Sequence, residues 1–482
     1  MKFNKRPSLT VMAAALALSC AAAGTAQAAA QIVINNVNAP GIGFNDTTPA
    51  APVGGNAGTT LGQQRLIAFK YAADIWGATL TSPVPIVIDA KFSALTCTDT
   101  GAVLGSAGAT TVFRDFPGAP KTGTWYSYAL TNKLYGGDAT GGAFAQINAN
   151  FNVNLGNPGC LTGTPFYLGL DNNHGAAVDF VTVLLHEMGH GVGFQTFTSG
   201  LSGNQLGASQ TSPGYPSAWD HYLLDNTTNM LWKSMTPAER RASALKPNGL
   251  SWTGPRVTAA APNVLSAAPE LRIIGAGAQT AGGTYSIGEA DFGPAIDGKT
   301  TGQIMPVVDQ PNGTGLACTP LSAENAAAVN HNIALISRGA CGFAVKVKNA
   351  QNAGAIGVIV ADNAAGPVAG MGGFDPSITI PAVRITQADG ALIASSLTKR
   401  NGNMSGTVGK FELSKTRLAG TDSMQRVTMY TPNPYQSGSS VSHYTTAAKR
   451  NQLMEPAINA DLSHSPTLPL DLTFELLKDI GW

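Results

Sequence analysis

The sequence predicts an α+β protein in which a small α/β module interrupts a larger, discontinuous domain. Three observations predict it. Residues 61–194 read as a helix, alternating strands and a second, apolar helix. Residues 266–402 read as strand–helix–strand–strand–helix, the pattern of a separate α/β unit. The tail, 403–482, returns to the style of the first part and ends in an apolar helix that needs a partner surface. A chain of 482 residues is also longer than one ordinary domain.

Composition narrows the class. Hydrophobic residues make up 44% of the chain and charged residues 12%, which argues against disorder. Lys2, Lys5 and Arg6 precede an apolar run from Leu9 to Ala23, and Ala26-Gln27-Ala28 follows. This is the pattern of a secretory leader cut after Ala28. The run is too short to span a membrane, and no other span is expected. Removing those three basic residues takes the formal charge from +1 to −2, so no nucleic-acid partner is expected. Periplasm and medium are not distinguished, and nothing indicates an oligomeric state. Four cysteines remain after cleavage, and their grouping pairs Cys97 with Cys160 and Cys318 with Cys341.

Taken in order, Gln31–Asn35 is a short strand, and Leu61–Trp76 is a helix with Leu66, Phe69, Ala73 and Trp76 on one face. Pro85–Phe92 alternates as a strand. Residues 98–142 are rich in turn formers and are left unassigned. From Gln146 to Leu155 apolar and polar residues alternate without a break, which predicts a half-buried strand at a sheet edge, its asparagine face toward solvent. Pro165–Leu170 is another short strand. Residues 195–216 read as a loop. Thr236 and Pro237 open a short helix as N-cap and first helical residue.

Residues 179–194 carry the chemistry. His186 and His190 in HEMGH are four apart, which places both imidazoles on one helix face one turn apart, the spacing two nitrogen ligands of a tetrahedral zinc require. Glu187 lies one step round the helix, where it can take a proton from a zinc-activated water as general base. Asp179 is the expected N-cap, and Gly191 and Gly193 are expected to end the helix. The alternative is a chance cluster of surface charge. The apolar turns before the motif, the glycines after it and a total of seven histidines argue against that.

The module at 266–402 resembles the protease-associated (PA) domain. The matching residues include Ala317-Cys318, the run Ile333–Phe343, the run Val347–Ile359 and Ile380–Ile385. The resemblance implies a non-catalytic module of exported proteases that affects substrate access or binds protein. HEMGHGVGF, with the turn Leu453-Met454-Glu455-Pro456 and the closing helix from Asp471 to Ile480, resembles the metzincin zinc proteases, and among them the leishmanolysin family. That family also interrupts its catalytic domain between the second and third zinc ligands. One departure stands out: the compact metzincin motif would place a third histidine at position 196, where this chain has Thr196.

The residues alone leave His221, its neighbour Asp220 and His443 open as the third ligand. The resemblance favours His443, because the third histidine of that family precedes the methionine turn by a short segment. His464 is read as a solvent histidine in a Ser-Pro loop. The divisions implied are a leader at 1–28, a catalytic part at 29–265, the PA module at 266–402 and a second catalytic part at 403–482. The expected activity is a secreted zinc endopeptidase acting on proteins or peptides, with His186, His190 and His443 as ligands and Glu187 as base. Two alternatives are an exported zinc- and protein-binding protein without catalysis, and an aminopeptidase, which would want a two-metal cluster of acids and histidines.

Overall fold

Alternation of large apolar and polar residues along Ile86–Ser93 and Ile147–Asn152 sets the first part of the architecture. In the computed structural model, which describes residues 29–308, 315–366, 368–397, 401–459 and 461–482, these segments are neighbouring strands of a four-stranded sheet. The expected leader at 1–28 lies outside the described residues. The chain divides into two units. The first is the chain up to Phe194 with Ser463–Thr467 and Leu477–Trp482; the second is Gln195–Leu462 with Leu468–Leu476.

In the first unit, β1 (Ile32–Asn36), β2 (Ile86–Ser93), β3 (Gly105–Ala109) and β4 (Ile147–Asn152) form a sheet in the order β1-β2-β4-β3. The first three in that order run parallel, and β3 pairs antiparallel with β4. Ile86, Ile88, Ala90 and Phe92 of β2 and Ile147, Ala149 and Phe151 of β4 are buried, as the alternation predicts. Helices α1 (Leu61–Thr79) and α3 (Phe180–Val192) join them; α2 is Tyr128–Tyr135. Phe69 of α1 meets Phe151 edge-on at 5.7 Å, and Phe180 of α3 lies 5.2 Å from Phe151 and 5.5 Å from Phe92. Such offset and edge-on aromatic pairs are favoured over face-to-face stacks and bind helices and sheet into one core.

One expectation fails here. The strand at 147–152 is not at the sheet edge; it is paired on both sides, by β2 and by β3. Its polar side is not uniformly solvated either. Asn152 is 1% exposed, and its Nδ2 donates to Val103 O at 2.9 Å beside the Cys97–Cys160 disulfide. The edge is β3, from the stretch left unassigned. Its Gly-Ser-Ala-Gly-Ala sequence contains no β-branched or aromatic residue and so carries no strand signal.

The second unit contains an eight-stranded sheet. Its strands are β5 (Ala267–Ile274), β6 (Gly283–Ser286), β7 (Gly288–Glu289), β8 (Thr301–Pro306), β9 (Ile333–Ser337), β10 (Gly357–Ala361), β11 (Ala382–Ile385) and β12 (Val408–Leu418). They lie in the order β6-β5-β12-β8-β9-β10-β11-β7. The fourth to seventh in that order, β8 to β11, are parallel. Parallel strands are covered on both faces, which explains their continuous apolar runs. Ala334, Ile336, Val358 and Val360 face one core with Val347 and Ala350 of α4 (Phe343–Asn352), and Ile333, Leu335 and Ile359 face another with Ile393 of α5 (Gln387–Ser395). The Cys318–Cys341 disulfide lies in this module, as its cysteine grouping predicts.

The sheet extends past residue 402. β12 pairs with β5 and β8, and Ala267 is the partner of Leu418. Just outside that pair, the Ala419 N–H donates to Ser266 O at 2.9 Å. The chain therefore enters and leaves the module at one point, a separation of about 5 Å between Cα atoms for an antiparallel pair. Deleting 267–418 and joining Ser266 to Ala419 through a short Gly-Ser linker is expected to leave a folded remainder. A cooperative thermal melt with an intact Cys97–Cys160 bridge would bear this out; aggregate with no melting transition would show that the module is integral to the rest.

Candidate metal centre

Helix α3 is buried along its whole length, so each of its ends must be satisfied from within the protein. At the N-terminus, Asp179 Oδ1 accepts the Thr182 N–H at 2.6 Å, the expected cap. The same oxygen lies 2.9 Å from His464 Nε2, and the His464 ring packs edge-on against Tyr71. His464 is thus not a solvent histidine: it is held against the cap of the helix. At the other end, Gly193 adopts φ +126°, and the Phe194 N–H reaches back to Gly189 O at 3.0 Å. The Val192 carbonyl accepts from Ser127 Oγ and from the Trp482 indole N–H at 2.8 Å. The last residues of the chain therefore pack on the end of α3, as the apolar closing helix predicts.

Gly191 does not end the helix, which continues to Val192. It is glycine because β4 passes too close: a Cβ there would lie 2.5 Å from Ile147 Cγ2. Midway along, the Trp76 indole N–H donates to Leu185 O at 3.0 Å and locks α1 to the turn before His186.

His186 and His190 present their Nε2 atoms 3.2 Å apart. Two ligands at about 2 Å from a tetrahedral ion would stand roughly 3.3 Å apart, so this pair fits a zinc without rearrangement. The Nδ1 of His190 is bonded to Phe194 O at 2.8 Å, which fixes the ring and makes Nε2 the ligand nitrogen. Burial, with a smaller contribution from His186, pushes His190 down to about 3, against the opposing pull of the Phe194 carbonyl. It is therefore neutral at ordinary pH, the form that binds metal. Glu187 is 7% exposed. Burial pushes its carboxyl up to about 8, partly opposed by a hydrogen bond from the Ala107 N–H of β3.

His443 is 4% exposed, and its Nδ1 is bonded to Ser439 O at 2.7 Å. His443 and its two chain neighbours are each held by a hydrogen bond. The Tyr430 N–H donates to His443 O at 2.9 Å, the Thr196 N–H to Ser442 Oγ at 3.2 Å, and the Tyr444 N–H to Met454 O at 2.8 Å. The methionine turn is pinned in the same way: Asp471 accepts the Leu453 N–H at 2.6 Å and, from one residue before the cap position Leu472, the first N–H of the closing helix Thr473–Ile480 (α6), that of Thr473, at 2.7 Å. Met454 is fully buried.

Among the described residues, His186, His190 and His443 form a group able to hold a metal ion, with one ligand atom from each and all three atoms within 4.8 Å of one another. Of the two competing ligands, Asp220 has another role. Asp220 is fully buried and accepts from Thr196 Oγ1 at 2.7 Å, from Thr198 Oγ1 at 2.5 Å and from the Ser217 N–H at 2.8 Å. It organises the loop after α3, and the residue at the compact-motif position, Thr196, is one of its donors. Neither His221 nor Asp220 belongs to the metal-competent group. His174 bonds Ala177 O and His331 is exposed at a turn with φ +59°.

Residues 300–393 match the sequence model of the PA domain. The chain carries a PA domain. A rice protein (Oryza sativa subsp. japonica), the receptor homology region, transmembrane domain- and RING domain-containing protein 1, is 36% identical over 106 residues, which is 22% of this chain and 19% of that protein. Among solved structures, an aminopeptidase from Aneurinibacillus sp. strain AM-1 shares 24% identity over 31% of each chain with a TM-score of 0.24. BSAP, a zinc aminopeptidase from Bacillus subtilis, shares 22% over 31% of each chain with a TM-score of 0.22. The subtilisin-like protease Apa1 of Pseudoalteromonas sp. AS-11 shares 17% over 31% of this chain and 36% of that one, also at 0.22. The chain thus spans about a fifth of the rice protein's length and about a third of each solved structure. No described helix is long and apolar enough to cross a membrane.

The close approach of α3 to β4 can be tested by Gly191→Ala. Its Cβ would overlap a side chain in the closed core, which costs roughly 1–3 kcal/mol. The expected result is a lower denaturant midpoint with an unchanged slope, and partial recovery when Ile147 is shortened to Ala in the same chain.

Proposed function

We propose that the chain is an exported zinc-dependent endopeptidase with a discontinuous catalytic domain interrupted by its PA domain. What supports this reading is the metal-competent group His186, His190 and His443, with Glu187 next to His186 on the buried helix α3. His186, His190 and His443 would hold the zinc, each through one ring nitrogen. Bound zinc would supply Lewis acidity toward a water and a peptide carbonyl. Glu187 would accept the water proton and pass it to the leaving amine. A purely structural zinc site has no need of a carboxylate beside its ligands, which argues against the non-catalytic alternative. The two disulfides fit an oxidising compartment, in keeping with export.

The extended substrate is placed on β3 rather than on β4, because β4 is paired on both sides and β3 closes the sheet. An edge strand offers unpaired N–H and C=O groups to which a peptide can add. The PA domain's place in the chain, after the second histidine and before the third, agrees with the leishmanolysin-like order, and its proposed extent is 267–418.

Glu187→Gln is expected to abolish chelator-sensitive hydrolysis of casein while zinc stays bound at one per chain. His443→Ala is expected to lose both zinc and activity. Turnover near that of the unaltered chain in Glu187→Gln, or full zinc content in His443→Ala, would sink the assignment. Casein turnover by zymography and metal content by mass spectrometry read the two outcomes separately.

A further inference from the structure

We infer that β3 is the seat of Glu187: Gly105 makes room for its side chain, and the outward N–H of Ala107 holds its carboxylate, so both act as positioning residues for the proposed proton transfer. The inference rests on the peptidase reading for its catalytic consequence, and on the first unit alone for its geometry.

The ladder between β3 and β4 decides which groups of β3 are available. The Asn152 N–H donates to Leu104 O at 2.9 Å, and the Thr110 N–H donates to Gln146 O at 3.0 Å. Residue 104 faces 152 and residue 110 faces 146, in line with the register Gly105↔Phe151, Ala107↔Ala149 and Ala109↔Ile147. Antiparallel pairs alternate between bonded and non-bonded positions. Bonded pairs therefore fall at the even residues, and Gly105, Ala107 and Ala109 turn their N–H and C=O away from β4. That outward side is where the Ala107 N–H meets the Glu187 carboxylate.

Gly105 supplies the space. A Cβ at that position would lie 3.1 Å from Glu187 Cγ, 3.0 Å from Phe151 Cδ1 and 3.2 Å from Asn150 O. Phe151 cannot yield easily, because it is fully buried and packed against Phe69, Phe92 and Phe180. Glu187 is the side chain that would have to move. Without a seat, a glutamate samples several rotamers around three side-chain bonds, and a general base misplaced by an ångström loses much of its rate. The glycine-and-alanine composition of β3, which hid it from the sequence reading, is on this account what lets a carboxylate lie against its edge. It also means that a peptide adding to β3 finds the Ala107 N–H already taken.

The test uses the full chain. Glu187→Ala should move the Ala107 amide proton upfield in a 15N-alanine-labelled, metal-free sample; an unmoved resonance overturns the seat whatever the activity. Gly105→Ala should lower kcat on casein by about tenfold or more with KM within about twofold and zinc content unchanged. Should Gly105→Ala fail to fold, Ala107→Pro removes the outward N–H without breaking a bond to β4 and should show the same fall in kcat. An unaltered chain that lacks chelator-sensitive hydrolysis would overturn the peptidase reading and the catalytic role with it. An active chain indifferent to both β3 variants would overturn the positioning role alone.

Discussion

Burying a carboxylate next to two imidazoles, on a helix with no exposed side, is the constraint on which the first unit depends. A buried charge is costly unless it is paired or neutralised. Here the groups are brought toward neutrality, Glu187 by a raised pKa and His190 by a lowered one. The ends of the helix are closed by fixed partners: Asp179 with His464 at one, Ser127 and Trp482 at the other. His464, Ser127 and Trp482 come from distant parts of the chain, so tertiary bonds add to the local cap in orienting the helix. A rigid frame of this kind is what ligands need if two ring nitrogens are to stand 3.2 Å apart before any ion arrives.

Much of this frame was legible because it obeys short-range rules. The period of α1, the alternation in β2 and the pattern of HEMGH each determine a local geometry from neighbouring residues, and Thr236 closes a capping box with Glu239 where a Thr-Pro start was read. The alternating α/β module was legible for the same reason, strand by strand. What escaped the sequence depends on long-range pairing. The position of β4 inside the sheet could not be read from its own residues, since alternation reports which face is buried and not how many neighbours a strand has. β3 escaped because its side chains are small. Gly191 was misread as a stop because only the three-dimensional approach of Ile147 distinguishes a packing glycine from a terminating one.

His464 and Asp220 teach a complementary lesson. Asp220 sits in a short turn of aromatic residues and was a candidate for metal; His464 sits in a Ser-Pro loop and was a candidate for solvent. In the fold each has a fixed partner: the buried Asp220 gathers three donors from the loop that follows α3, and the half-buried His464 is pressed onto the cap of α3. Polar residues in long loops serve as often to order the loop as to touch a ligand, and the sequence offers no spacing rule that separates the two.

The bond between Ala419 and Ser266 has a consequence for how the chain folds. Leu250 and Met429 are hydrogen-bonded although 179 positions apart in sequence. Once the module from Ala267 to Leu418 has folded, its 152 residues no longer count as slack, and the loop to be closed shrinks to about 27. Closure entropy grows by about 0.6 kcal/mol per doubling of loop length, so a prefolded module lowers the entropic cost of that contact by roughly 1.6 kcal/mol. The module can thus serve as an internal chaperone for the chain around it, bringing together two stretches that emerge far apart in time during synthesis.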